Sequence, residues 1–283
     1  MDPTLQHLLS RNGTQLAVYD WPYLRQRPAR AAVLIVHTLG DYGLRYQQLA
    51  QRLSHWGFAV RTFDLYGHGQ SGGEAGTLLH TNQLAEDVAD VAADWRPRLP
   101  VGMPLIVMGY SMGATVAMQA QLQGMLDAQA YCLFSPMLRL HMTWLQRVAL
   151  GVFRYILPDH VGPAHFYPGQ HVRDPEAQIL LEHDEKWVRV LSARLGDSMF
   201  TSCAEVMRRA KEWSIPTLLL YNGEMPPQGA VLPSGTEDFF MCSPSGIELK
   251  RFDNAYPDLL HDVEKNEVYT RMQQWLNRHY PER

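Results

Sequence analysis

Gly109-Tyr110-Ser111-Met112-Gly113 spells GxSxG, and its surroundings give it chemical weight. The five residues directly follow the apolar run Leu105–Met108 and lead into a stretch with helical character from about Met112 to Gln123. A serine on such a strand-to-helix turn has its hydroxyl pushed out over the edge of a sheet. The helix start behind it aims free backbone N–H groups at any negative charge that develops there. This is the chemistry of acyl transfer, in which a hydroxyl attacks a carbonyl carbon and amide donors hold the oxyanion. The inert alternative is an ordinary turn serine.

The elements that must position such a serine are readable as an alternation. Thr14–Asp20, Ala32–His37, Phe58–Phe63, Leu105–Met108, Ala130–Phe134, Thr217–Tyr221 and Ile247–Phe252 read as strands. Ala32–His37 is a short, β-branched apolar run, as expected for a strand covered on both faces. Helical spacing marks Tyr46–Trp56, ending at Gly57, and Thr81–Trp95, ended by Pro97. A last helix spans about Glu264 to Arg278. The fold class is therefore α/β, with right-handed crossovers, a mostly parallel central sheet and helices on both faces. The rhythm breaks from residue 137 to about 212, where helical stretches appear without a clear strand. Leu140–Leu157 is markedly apolar there, with Trp144, Leu145, Val148, Val152, Phe153 and Ile156.

Several ordered segments together resemble the α/β-hydrolase fold, and within it the monoacylglycerol lipase/lysophospholipase branch, also called serine aminopeptidase-like. His37-Thr38-Leu39-Gly40-Asp41 with Arg45-Tyr46 is similar to that family's HGxGE…RY segment. Asp64-Leu65-Tyr66-Gly67-His68-Gly69-Gln70-Ser71 is similar to its DxxGHGxS loop, Gly109–Gly113 to its GHSMG turn, and Phe134-Ser135-Pro136 to the strand end before its cap. The resemblance runs from about Asn12 to Trp275. It implies one α/β-hydrolase domain over 1–283 with a helical cap inserted at 137–212. It also implies Ser111 as nucleophile and the backbone N–H groups of Leu39 and Met112 as oxyanion donors. His37, Asp64 and His68 take architectural roles in the loops. The implied substrate is a carboxylic ester, lipid-like or a small acyl ester, with no cofactor and no metal.

Three positions depart from the family. Its acid follows the strand ending at Tyr221 in a GxxDxxV pattern, and that position falls on Pro226 within Gly223–Val231, leaving Glu224 as the nearby carboxylate. Its histidine loop reads roughly GAYHELLNE, against Asn254-Ala255-Tyr256-Pro257-Asp258-Leu259-Leu260-His261-Asp262, which puts Pro257 at the imidazole position. The distance to Trp275 favours that alignment; His261, four residues on, substitutes if the loop is longer. Thr38 replaces a glycine, and a β-branched residue there would be strained if the backbone needs positive φ. Two readings follow. In one, a rewired serine hydrolase uses Ser111, His261 and Glu224. In the other, a degenerate hydrolase binds an apolar ligand or a protein partner without turnover. The cap histidines His141, His160, His165, His171 and His183 offer other imidazoles, but none has a compact zinc-ligand spacing.

Composition narrows the partners. Of 283 residues 46% are apolar and 19% charged, and the net charge is −4, which excludes a disordered polyelectrolyte. The absence of a Lys/Arg run argues against a nucleic-acid groove. No basic-then-apolar leader and no run of about 18 apolar residues is present, and Cys132, Cys203 and Cys242 are far apart, so the cytoplasm is the expected compartment. The apolar cap segment fits either packing on the sheet or peripheral contact with a membrane surface. Nothing in the sequence sets the oligomeric state.

Overall fold

The computed structural model describes residues 2–23, 25–164, 171–224 and 231–282. An eight-stranded sheet runs through the molecule. In chain order its strands are β1 (Thr4–Leu9), β2 (Gln15–Trp21), β3 (Ala32–Val36), β4 (Ala59–Phe63), β5 (Leu105–Tyr110), β6 (Ala130–Phe134), β9 (Thr217–Asn222) and β10 (Ile247–Phe252). Their spatial order is β1-β2-β4-β3-β5-β6-β9-β10; β2 runs antiparallel to β1 and β4, and every other pair is parallel. The fold is that of the α/β-hydrolases.

The five-residue runs of β3 and β6 are buried throughout, because helices cover both faces. On one face α1 (Gln47–His55) and the C-terminal helix (Lys265–His279) pack Leu49, Leu53, Met272 and Trp275 against Val33, Ile35, Ile106 and Leu218. On the other, α2 (Gln83–Trp95) and α3 (Met112–Leu122) pack Val88, Val91, Val116 and Met118 against Leu34, Val36 and Val107. β5 sits between β3 and β6 near the middle of the sheet, so its C-terminal end is a well-supported platform.

The sequence misses β1. Its edge position leaves Leu5 and Leu9 exposed, and without a buried face the alternation that identifies a strand is weak.

Between β6 and β9 lie α4 (Trp144–Ile156), α5 (Pro175–Glu182) and α6 (Ala193–Arg208), with an antiparallel pair of short strands, β7 (Val161–Pro163) and β8 (Val190–Ser192), on either side of α5. The sequence pattern showed no strand here, since three-residue strands have no readable period. The helices of this segment differ in role. Leu195, Met199, Cys203 and Val206 of α6 belong to the main core beside α3, whereas no residue of α4 is buried. An N-terminal capping box holds α4 together: the Gln146 N–H donates to Thr143 Oγ1 and the Thr143 N–H to Gln146 Oε1. No helix among the described residues is long and apolar enough to cross a membrane.

Candidate active site

Ser111 closes β5 and opens α3 with φ 48° and ψ −113°. Such a backbone costs a non-glycine residue on the order of 1–3 kcal/mol, and the flanking glycines make it sterically possible. A Cβ on Gly113 would lie 2.2 Å from the His37 carbonyl oxygen, and one on Gly109 2.5 Å from the Ala114 Cα. With both absent, the helix start passes directly against the end of β3. The Ser111 N–H donates to the Phe134 carbonyl, and its own carbonyl accepts from Thr115 and Met137, so the main chain is fixed on three sides. Among the described residues no side chain hydrogen-bonds to the Ser111 hydroxyl.

The segment after β3 is braced by two buried histidines. The Leu65 N–H donates to His37 Nε2 at 2.9 Å, so the ring proton is on Nδ1, which donates to the Thr38 carbonyl. The Gly40 N–H likewise donates to His68 Nε2, and His68 Nδ1 donates to the Tyr66 carbonyl. Burial lowers both imidazoles, His68 to about 4, which keeps them neutral as these bonds require. Asp64 accepts from the Tyr19 hydroxyl and from the N–H groups of Gly43 and Gln70. All three groups tie the loop after β3 to the loop after β4.

That loop presents the two amides named from the sequence in different states. Among the described residues nothing accepts from the Leu39 N–H. The Met112 N–H donates to Thr38 Oγ1 at 3.3 Å, so the residue replacing glycine occupies one of the two amides that the sequence resemblance implies as oxyanion donors. Thr38 is not in the positive-φ region. The strain anticipated for a β-branched residue is therefore absent, and the effect of the substitution is a hydroxyl rather than a distorted backbone.

Pro257 stands beside this turn: its carbonyl accepts from the Ser135 hydroxyl at 2.8 Å, and Ser135 directly follows β6 with φ 42°. His261 lies in the same turn, half-buried. Its Nδ1 is 2.9 Å from Asp258 Oδ1, and Asp258 Oδ2 is 2.5 Å from Arg45 Nη2. Arg45 also reaches Asp41 at 3.0 Å, which accepts from the Tyr46 hydroxyl as well. Burial alone would raise the Asp258 carboxyl, yet Arg45 and His261 hold it well below the usual carboxylate range. The ionised carboxylate takes the Nδ1 proton of His261, leaving Nε2 without a partner among the described residues.

Glu224 is elsewhere. It is exposed, its nearest charge is Arg173 at 3.8 Å, and it makes no hydrogen bond to His261. The orienting carboxylate on His261 is Asp258, three residues earlier in the same turn. That spacing was a usable signal in the sequence, as was Arg45 in the quoted RY pair. Pro226 and His165 lie outside the described residues. His141, His160 and His183 are exposed on the surface, and the His171 carbonyl accepts from the Asp258 N–H. No group of three His, Cys, Asp or Glu that could hold a metal occurs among the described residues.

The sequence model of the serine aminopeptidase, S33, family matches residues 27–264. Human monoglyceride lipase is 26% identical over 166 residues, covering 56% of this chain and 53% of the human protein. An uncharacterized abhydrolase domain-containing protein of Dictyostelium discoideum is 21% identical over 281 residues, 98% of this chain. The chain spans 29% of the length of that protein, so these curated relatives are substantially longer than the matched region. Among solved structures, a soluble variant of Saccharomyces cerevisiae monoglyceride lipase, in complex with a substrate analog, superposes with a TM-score of 0.85. It is 20% identical and covers 99% of this chain and 96% of its own.

Proposed function

Because this chain belongs to the serine aminopeptidase, S33, family of α/β-hydrolases, we propose that it hydrolyses carboxylic esters of the lipid-like or small acyl class, with Ser111 as nucleophile. The single observation behind this reading is the backbone of Ser111 at φ 48° and ψ −113°. A strained serine, held at the end of a central strand by a braced loop, is the arrangement acyl transfer requires.

Ser111 Oγ attacks the ester carbonyl while the hydroxyl proton passes to an imidazole nitrogen. We assign that role to His261 Nε2, with Asp258 rather than Glu224 holding Nδ1. The carbonyl oxygen becomes an oxyanion on the Leu39 and Met112 N–H groups, displacing Thr38 Oγ1 from the second. Collapse expels the alcohol with the proton from His261. Water then attacks the acyl-Ser111 ester, giving up a proton to the same imidazole; collapse breaks the acyl–Oγ bond, His261 returns that proton to Ser111 Oγ, and the carboxylic acid leaves. The assignment requires the 254–262 turn to bring Nε2 to Ser111, since no imidazole among the described residues is bonded to it. Hydrogen bonds of this kind commonly tighten only when substrate is bound.

One feature supports a lipid-like ester and another the site of action. Trp144, Leu145, Val148, Val152 and Ile156 form an exposed apolar face on α4, suited to peripheral contact with a lipid surface. Three unpaired cysteines, Cys132 and Cys203 buried and Cys242 exposed, fit a cytoplasmic site of action.

A second reading is favoured by Pro257 at the imidazole position and by the Thr38–Met112 bond: a protein that binds an acyl ligand without turnover. A fluorophosphonate probe separates the two. Labelling that is lost in both Ser111→Ala and His261→Ala supports the hydrolase with His261 as base. Absence of labelling in folded wild-type protein refutes it and leaves the binding protein.

A further inference from the structure

Helices α4 and α6 touch where Leu150 meets Gly196 and where Arg154 pairs with Asp197, and an open groove runs beside these contacts. The stripe Arg147, Leu150, Gly151 and Arg154 on α4, at spacings of three, four and seven, opposes Asp197, Phe200 and Ala204 on α6. Leu150 reaches toward Gly196, where a Cβ would be 3.3 Å from its Cδ1, but a Cβ on Gly151 would meet nothing within 4 Å. Between the stripes lies a cavity of about 500 Å³, within the range of roughly 300–1,000 Å³ typical of small-molecule sites. Its floor is apolar, with Leu138, Leu140 and the thiol-bearing Cys203. Ser111, Leu39 and Met112 do not line it.

The cations at its rim decide what it suits. Arg139 is paired with Asp238 at 2.5 Å and Arg154 with Asp197 at 2.8 Å. Arg147 has no side-chain partner among the described residues. The rim thus offers an uncommitted guanidinium beside an apolar slot. A guanidinium takes a carboxylate or a phosphate through two parallel N–H bonds. The outward face of α4 is apolar, with Trp144, Leu145, Val148 and Val152 exposed beside the slot.

We propose that the slot between α4 and α6 binds a single-chain amphiphile with one anionic headgroup, the acyl chain along the apolar floor and the head on Arg147. Two sources share this chemistry, a free fatty acid and a lysophospholipid with a terminal phosphate. The proposal does not depend on turnover at Ser111, because the slot is lined by other residues.

Calorimetric titrations of Ser111→Ala protein, each below the micelle threshold, test it with hexadecanoate, palmitoyl-lysophosphatidate and monopalmitoylglycerol. At least one anion is expected to bind at least tenfold tighter than the neutral glyceride. Arg147→Gln should weaken that anion about tenfold, the size of one charge-assisted contact, and Arg147→Lys, which keeps the charge but loses the fork, should fall between the two. Gly151→Leu, which fills the slot, should weaken all chain-bearing ligands. Whichever anion binds tighter identifies the source, and either supports the proposal. Failure of both anions to bind, equal affinity for the neutral glyceride, or indifference to Arg147→Gln overturns it. Indifference to Gly151→Leu overturns the location.

Discussion

Asp258→Asn, set against Glu224→Gln, separates the two carboxylates that compete for the orienting role. In the folded chain Asp258 Oδ1 receives the His261 Nδ1 proton at 2.9 Å and Oδ2 receives Arg45. An amide there presents one oxygen instead of two. If Arg45 keeps that oxygen, the NH₂ faces Nδ1 and forces the proton onto Nε2, the atom that must be free to accept from Ser111. The loss expected for the wrong tautomer is about 10⁴ in kcat, against about 10⁶ for removing the imidazole itself. Glu224 lies 3.8 Å from Arg173 and touches neither group, so Glu224→Gln should change kcat less than threefold. Asp258 is also half of a buried ion pair, and weakening it should destabilise by about 3 kcal/mol, or roughly 6–12 °C in Tm for a chain of this size. Short-chain p-nitrophenyl ester turnover, measured well below the variant's Tm, reads the catalytic part alone. Full activity in folded Asp258→Asn, or a thousandfold loss in Glu224→Gln, would refute the assignment of Asp258.

Three further outcomes follow from single contacts. Thr38→Ala frees the Met112 N–H, and because breaking one neutral hydrogen bond costs about 1 kcal/mol, kcat/KM should rise about three- to tenfold. A fall would mean that the Thr38 hydroxyl itself donates to the oxyanion. Asp87 of α2 is buried, one of its oxygens lacks a partner among the described residues, and burial pushes its carboxyl up to about 7. A carboxyl raised in the folded state stabilises fully below the unfolded pKa near 4 and loses that contribution as pH rises to about 7. Thermal melts should therefore show wild-type stability falling by up to about 4 kcal/mol between pH 4 and 7, with the slope flattened in Asp87→Asn. Gly113→Ala forces a Cβ to within 2.2 Å of a backbone oxygen, so it should abolish fluorophosphonate labelling and lower the Tm; retained labelling would mean that the end of β3 can move.

The strand buried on both faces was legible because its physics is local: Ala130–Phe134 appears with the bounds its composition predicts, and the half-buried edge strand Ile247–Phe252 keeps its predicted bounds as well. The bracing histidines were legible through a spaced motif whose residues each bond to backbone. The carboxylate on His261 was legible only locally, as an aspartate three residues earlier; its pairing with Arg45 was not. Asp258 is selected by Arg45, which lies 213 residues away in sequence, and pairings over such distances leave no periodicity. Glu224 had only proximity to the end of β9 in its favour. Thr38 illustrates a different failure. The expectation was argued from φ, whereas the consequence is carried by a side-chain hydroxyl whose target, the Met112 N–H, belongs to another element.

Arg45 gives the site its unity. It bonds Asp41 in the loop that carries Leu39 and Asp258 in the turn that carries His261, and the ring of Trp187, from the segment between β6 and β9, lies 5.3 Å from its guanidinium. Three chain segments therefore meet on one buried cation. Val188 adds a backbone bond to the Gly40 carbonyl at 2.8 Å, so the segment between β6 and β9 is fastened to the loop after β3. A ligand that shifts the Trp187 segment has to move the Arg45 guanidinium or weaken its packing, and both carboxylates depend on that guanidinium. The Trp187 segment and the carboxylate that holds His261 Nδ1 thus share one buried cation. Such contacts have few intermediate geometries, because a buried charge that leaves one partner must find another.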